Sequence, residues 1–259
     1  MRIISIVNQK GGVGKTTTTI NVAAALSALG KKVLIIDLDP QGNLSQSLGI
    51  PSENLENTVY QLLREVASLE ETIYKHEKFD IIPSNIGLSA AELELAGQPG
   101  REFLLREGLD QIEENTYDYI LIDCSPSLGI LTLNALVASQ EVFIPVQAQF
   151  LSMQGISQLM RTIEVVKDRL NKNIEVTGVI MTMFDSRKNL NNEVSEKVKE
   201  YFDSIVFKTK IPDSVALAEA PSFGQDIFDY KITSEGAKKY LALTKEIIKQ
   251  KGKNKNVKK

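Results

Sequence analysis

The sequence predicts an α/β fold, a mostly parallel twisted sheet with helices on both faces. Three observations point there. Short apolar runs rich in β-branched residues recur along the 259 residues, helical stretches lie between them, and glycines or carboxylates follow several runs, where such sheets bind ligands. The composition, 42% hydrophobic and 24% charged, excludes the disordered, collagen-like and disulfide-scaffold classes.

In order, Ile3–Val7, Val33–Leu38, Ile81–Ile82, Tyr119–Ile122, Val142–Val146 and Val176–Met181 read as short buried strands. Thr16–Leu29 closed by Gly30, Arg101–Glu114, Ser152–Leu170, Leu190–Phe202 and Ser234–Lys249 read as helices, because apolar residues return every three or four positions. No repeat or Pro-rich linker divides the chain. Residues 1–248 are therefore expected to form one domain, with 249–259 a basic, flexible tail. That tail holds six lysines and no acid, so the net charge of −3 leaves −9 on the body.

Cys124 is the only cysteine and His76 the only histidine, too few for a structural zinc site or a dithiol centre. His76 reads as a solvated loop residue and Cys124 as a small buried residue at a strand end. No apolar run approaches the roughly 18 residues of a membrane span, and Lys10 with its glycines interrupts the N-terminus too early for a signal peptide. A cytoplasmic location is the expectation. Aromatic residues are sparse and none interleaves with the basic ones, so a stacking platform for single strands is not expected.

The first run leads into Asn8-Gln9-Lys10-Gly11-Gly12-Val13-Gly14-Lys15-Thr16-Thr17 and then a helix, the order a P-loop requires. Glycines let backbone N–H groups close around phosphate oxygens, and the helix start adds its positive dipole end. Lys15 is placed to reach the β- and γ-phosphates and the Thr16 hydroxyl to bind Mg²⁺. Gln9 stands where the usual motif has its first glycine, and Lys10 is an additional cation. The second run ends in Asp37-Leu38-Asp39-Pro40, and Tyr119–Ile122 is followed by Asp123. An acid at such a strand end is the usual outer partner of Mg²⁺. Only one of Asp37 and Asp39 is expected to face the metal. Asn171-Lys172-Asn173-Ile174 lacks the aspartate of a guanine-reading NKxD motif, which favours ATP over GTP.

Together NQKGGVGKTTTTIN, VLIIDLDPQGN, YDYILIDCSPSLG, GVIMTMFDSR and LAEAPSFG make the chain resemble, over nearly its whole length, the ParA/Soj partition ATPases with a deviant Walker A loop, relatives of MinD. The resemblance implies a three-layer P-loop NTPase fold and slow, partner-stimulated, Mg²⁺-dependent ATP hydrolysis. It further implies a homodimer with ATP sandwiched in it. By position, it makes Lys10 the lysine that crosses to the partner's ATP, Lys15 the phosphate lysine, Thr16 the metal ligand and Thr17 a further phosphate contact. Asp39 would position the attacking water, with Asp37 and Asp123 completing the magnesium surroundings. Gly11, Gly12, Val13 and Gly14 complete the loop, and Met183 and Pro212 sit where the family builds its adenine pocket. A ParB-like centromere-binding protein, non-specific double-stranded DNA and association with the nucleoid are the implied partners and place.

In one segment the chain departs from that pattern. Family members that bind DNA carry arginines after the base loop, whereas here Asp213 and Ala216 stand at those positions. The basic residues left for DNA are Arg187, Lys188, Lys208, Lys210, Lys238 and Lys239, with the lysine tail as compensation. Without an N-terminal helix-turn-helix, operator recognition is not expected. The alternative is a MinD-like, membrane-associated positioning ATPase. It needs an apolar C-terminal segment, and Val257 is the only large aliphatic residue in the last ten. An electron-transfer ATPase like the nitrogenase iron protein fails, because one cysteine per chain cannot supply four cluster thiolates in a dimer. A metabolic P-loop ligase would need a substrate pocket that the sequence does not locate.

Overall fold

The computed structural model describes residues 1–149 and 152–250. The chain opens with β1 (Arg2–Ile6), α1 (Lys15–Ala28), β2 (Val33–Leu38) and α2 (Asn43–Ser47). It continues through α3 (Val59–Leu63), α4 (Leu69–Thr72), β3 (Tyr74–Lys75), β4 (Asp80–Ile82), α5 (Ala91–Glu94) and α6 (Leu104–Leu109). Then come β5 (Tyr119–Cys124), α7 (Ile130–Ala138), β6 (Glu141–Gln147), α8 (Ser152–Arg169) and β7 (Glu175–Thr182). The last part is helical: α9 (Asn189–Phe202), α10 (Val215–Glu219), α11 (Ile227–Lys231) and α12 (Glu235–Lys249).

The seven strands form one sheet in the order β3-β4-β2-β5-β1-β6-β7, parallel except for the β3 edge. Alternation along each strand feeds two cores. Ile3, Leu34, Ile36, Ile120 and Ile122 face one side, under α3, α6, α7, α8 and α9; Ile4, Ile6, Val33, Ile35 and Leu121 face the other, under α1, α2 and α10–α12. The expected three-layer architecture is therefore present. It sets β1 inside the sheet between β5 and β6, so the loop after β1 opens at the carboxyl edge of the sheet beside Asp123.

Several boundaries differ from the sequence reading. The stretch Arg101–Glu114 is helical only over Leu104–Leu109, which bury Leu104, Leu105, Gly108 and Leu109; farther on, Asn115 takes a left-handed φ of 67°. Helix α7 had no amphipathic signal because it is buried nearly all round. Asn171, not a base-reading residue, donates its amide to the carbonyls of Leu136, Val137 and Ser139 at the end of that helix. His76 is half-buried and stacks on Phe79 at 4.9 Å, which corrects its reading as a solvated residue. Cys124 is buried, as expected, and burial pushes its thiol pKa up. Beyond Gln250 the lysine tail lies outside the described residues.

Candidate nucleotide site

The loop between β1 and α1 turns through two left-handed glycines, Gly12 at φ 71° and Gly14 at φ 85°. Gly14 is also the N-cap of α1 and offers no side-chain cap, so the first N–H groups of the helix face the loop's cavity. Distant residues brace the loop. The Asn8 amide donates to the Pro145 carbonyl at 2.7 Å, and the Thr182 hydroxyl to the Val13 carbonyl at 2.8 Å. Val13 is 1% exposed, so it serves the loop from behind while its neighbours line the cavity. Lys15 is buried, which lowers its pKa against the opposing pull of Asp123.

The three acids divide the work. Thr16 donates its hydroxyl to Asp123 at 2.6 Å, and Thr19 approaches the other oxygen at 3.4 Å. Burial pushes the Asp123 carboxyl up to about 8, helped by the charge of Asp37, its cross-strand partner, and opposed by the Thr16 hydrogen bond. Asp37 is fully buried and stands opposite Asp123 on the neighbouring strand. Its oxygens accept hydrogen bonds from the Ser45 N–H (3.0 Å), the Ser45 hydroxyl (2.8 Å) and the Asp39 N–H (3.3 Å), so it shapes the turn that presents Asp39. That turn needs Gly42, whose φ is 61° and whose Cβ would meet the Ser84 carbonyl oxygen at 2.9 Å. Asp39 lies past the end of β2 and lines the cavity.

Two cavities adjoin at the loop. One of about 320 Å³ is lined by Gly11, Gly12, Gly14, Lys15, Thr16, Thr17 and Asp39, with Pro126 and Met183 closing it. The other, about 100 Å³, lies between Thr182, Met183, Ile211, Pro212, Leu217 and Tyr240, and shares Gly14, Thr17 and Met183 with the first. Phe184 donates its N–H to the Ile211 carbonyl, which brings Pro212 beside Met183. Both residues expected around adenine thus wall one pocket next to the phosphate loop. Sequence reasoning missed Thr182, Ile211, Leu217 and Tyr240, which reach the site only through the packing of β7 and α12.

Among the described residues no group of three His, Cys, Asp or Glu side chains could hold a metal ion. The donor set suits Mg²⁺, which takes most of its ligands from nucleotide phosphates and water and needs little from the protein beyond a hydroxyl such as that of Thr16. Lys10 does not point at this chain's own phosphate cavity. Its ammonium donates to the side-chain oxygens of Gln149 at 2.5 Å and Gln147 at 3.3 Å, at the end of β6.

The expected DNA contacts fall into separate places. Arg187 and Lys188 both pair with Asp185, at 2.9 and 3.9 Å, and Arg187's hydrogen bonds hold that carboxyl down at about 2. Lys210 lies over the Phe184 ring at 4.0 Å, which joins it to the same turn, while Lys208 is exposed. Lys238 and Lys239 belong to the start of α12 and pair with Glu235. Asp213 lines the smaller of the two cavities.

A glycine-rich loop and helix start aimed into a carboxylate-walled cavity at the carboxyl edge of the sheet define a P-loop ATPase. Residues 1–176 match the AAA domain family. The chain belongs to the ParA/Soj partition ATPases: it is 48% identical to the sporulation initiation inhibitor protein Soj of Bacillus subtilis over 248 residues, 95% of this chain and 98% of that one. It is 46% identical to the chromosome partitioning protein ParA of Myxococcus xanthus over 251 residues, covering 96% and 88%. Among solved structures it matches cobyrinic acid a,c-diamide synthase from Mycobacterium smegmatis, with bound ADP and magnesium, at a TM-score of 0.85 and 32% identity over 96% and 94% of the chains. The cell division ATPase MinD of Pyrococcus furiosus matches at 0.78 and 28% over 96% and 98%.

Proposed function

We propose that this protein is an ATP-driven switch for DNA segregation, working in the cytoplasm on the nucleoid. Mg²⁺-ATP binds, two copies close face to face over it, the closed dimer holds double-stranded DNA without sequence preference, and a ParB-like partner stimulates hydrolysis and release. One observation carries the reading: the phosphate loop, the Thr16–Asp123 pair and Asp39 meet at one cavity, in a chain nearly half identical to Soj along its length. Bound Mg²⁺ supplies charge neutralisation at the phosphate oxygens. The chain's own residues do the rest. Loop N–H groups and Lys15 hold the phosphates, Asp123 fixes the Thr16 hydroxyl, and Asp39 orients the attacking water. Lys10, resting on Gln147 and Gln149, remains available to serve the partner's nucleotide.

Arg187, Lys188, Lys208, Lys210, Lys238, Lys239 and the lysine tail supply the charge for DNA. Each phosphate neutralised releases counterions, so binding falls steeply with salt. The test is binding of the full chain to a non-specific duplex, with ATP and with ADP, across a salt series. ATP-dependent binding with a steep salt slope is expected. Absence of binding in both nucleotide states overturns the DNA part of this reading.

A further inference from the structure

Lys10 is held on its own subunit by a side chain that also touches the base pocket. Gln147 Oε1 accepts from the Lys10 ammonium at 3.3 Å, while Nε2 turns to the Met183 sulfur at 3.1 Å. An ammonium group only donates, so it fixes which end of the amide faces it and leaves the NH₂ end for the thioether. Met183 lines both cavities and holds a left-handed φ of 49°, uncommon for a residue with a side chain. Lys10, Gln147 and Met183 thus run as a continuous chain of contacts from the phosphate loop to the base pocket.

We propose that Gln147 is a positioning residue for Lys10: with Gln149 it keeps the ammonium at home while the base pocket is open, and its share of that hold is lost when a base seats against Met183. The proposal rests on the reading of Lys10 as the residue that serves the partner's nucleotide. The restraint is weak in kind. Its partners are neutral amides on a half-buried lysine, so it biases an equilibrium without trapping it. A base packed on Met183 competes for the sulfur that anchors the Gln147 amide. Lys10 then keeps one anchored acceptor fewer. Two copies that free Lys10 more readily when their own base pockets are filled favour closing on two nucleotides over closing on one.

The test is ATP-driven dimerisation of the full chain, followed by sedimentation velocity at rising Mg²⁺-ATP. Gln147→Leu is expected to lower the ATP concentration for half-dimerisation by about three- to tenfold, the effect of removing one part-buried, charge-assisted hydrogen bond. Gln147→Glu, which pairs with the ammonium but cannot donate to sulfur, is expected to raise it by a similar factor. Met183→Leu, which removes the acceptor at nearly constant size, should shift it in the direction of Gln147→Leu. Binding of a fluorescent ATP analogue to the monomeric Gln147 variants, expected within about twofold of wild type, guards against misfolding. Opposite shifts from one position are not what a loosened fold gives. If both Gln147 variants move together or not at all while Lys10→Ala loses dimerisation, the latch is wrong and the trans role of Lys10 stands. An unshifted Met183→Leu overturns the link to the base pocket. If Lys10→Ala dimerises like wild type, the reading of Lys10 fails and the proposal with it.

Discussion

The Asp123 carboxyl, 1% exposed and accepting the Thr16 hydroxyl proton, is pushed up from 3.8 to about 8, first by burial and then by Asp37. A buried acid raised in this way does not destabilise the fold below its unfolded value, and destabilises it increasingly as pH climbs toward the folded one. Asp123→Asn is therefore expected to leave the melting midpoint of the nucleotide-free protein unchanged near pH 4 and to raise it by roughly several degrees at pH 8. Thermal melts of the two proteins at both pH values check this. The same substitution should weaken Mg²⁺-dependent nucleotide binding by about tenfold or more, measured by calorimetry, because it loosens the group that holds Thr16. The glycines, Lys15, Thr16, Asp39 and Asp123 were legible because their chemistry is written in local spacing. Asn8 and Thr182 were not: their partners lie 137 and 169 positions away and become neighbours only through the sheet.

The turn after β2 and the helix α7 each depend on one residue. Gly42→Ala would place a methyl group 2.9 Å from the Ser84 carbonyl oxygen at a left-handed φ. It is expected to cost about 1–3 kcal/mol and to slow ATP turnover by displacing Asp39, which urea denaturation and a phosphate-release assay would read separately. Asn171→Ala leaves three carbonyls at the end of α7 without their donor and should cost about 1–3 kcal/mol, with nucleotide affinity unchanged. Helices α8, α9 and α12 were legible because each shows one apolar stripe. The short α3 and α4 went unread although their signals were present. Thr58 with Gln61 and Ser68 with Glu71 form capping boxes, so the T-x-x-Q and S-x-x-E spacings mark both helix starts.

At the scale of the molecule, alternating strands and helices announced a parallel sheet, but nothing in the sequence ranked β5 and β6 as the neighbours of β1; strand order is a matter of long-range pairing that local spacing does not carry. If two copies close over ATP, Asp39→Ala should accumulate a long-lived, DNA-bound dimer. Gel filtration after ATP addition, followed over time, checks it, and wild-type decay of that dimer contradicts the role of Asp39. Helices α1 and α12, far apart in sequence, also meet beside the phosphate loop. Tyr240 of α12 walls the smaller cavity and shares a hydroxyl contact of 3.2 Å with Thr18 of α1. During synthesis, then, most residues of the larger cavity have emerged once Pro126 has left the ribosome, with Met183 to follow, whereas the smaller cavity waits for Tyr240. The phosphate loop itself stays unbraced until Pro145 and Thr182 have followed, so a loop written in the first residues takes its held shape only after the far half of the sheet has been made.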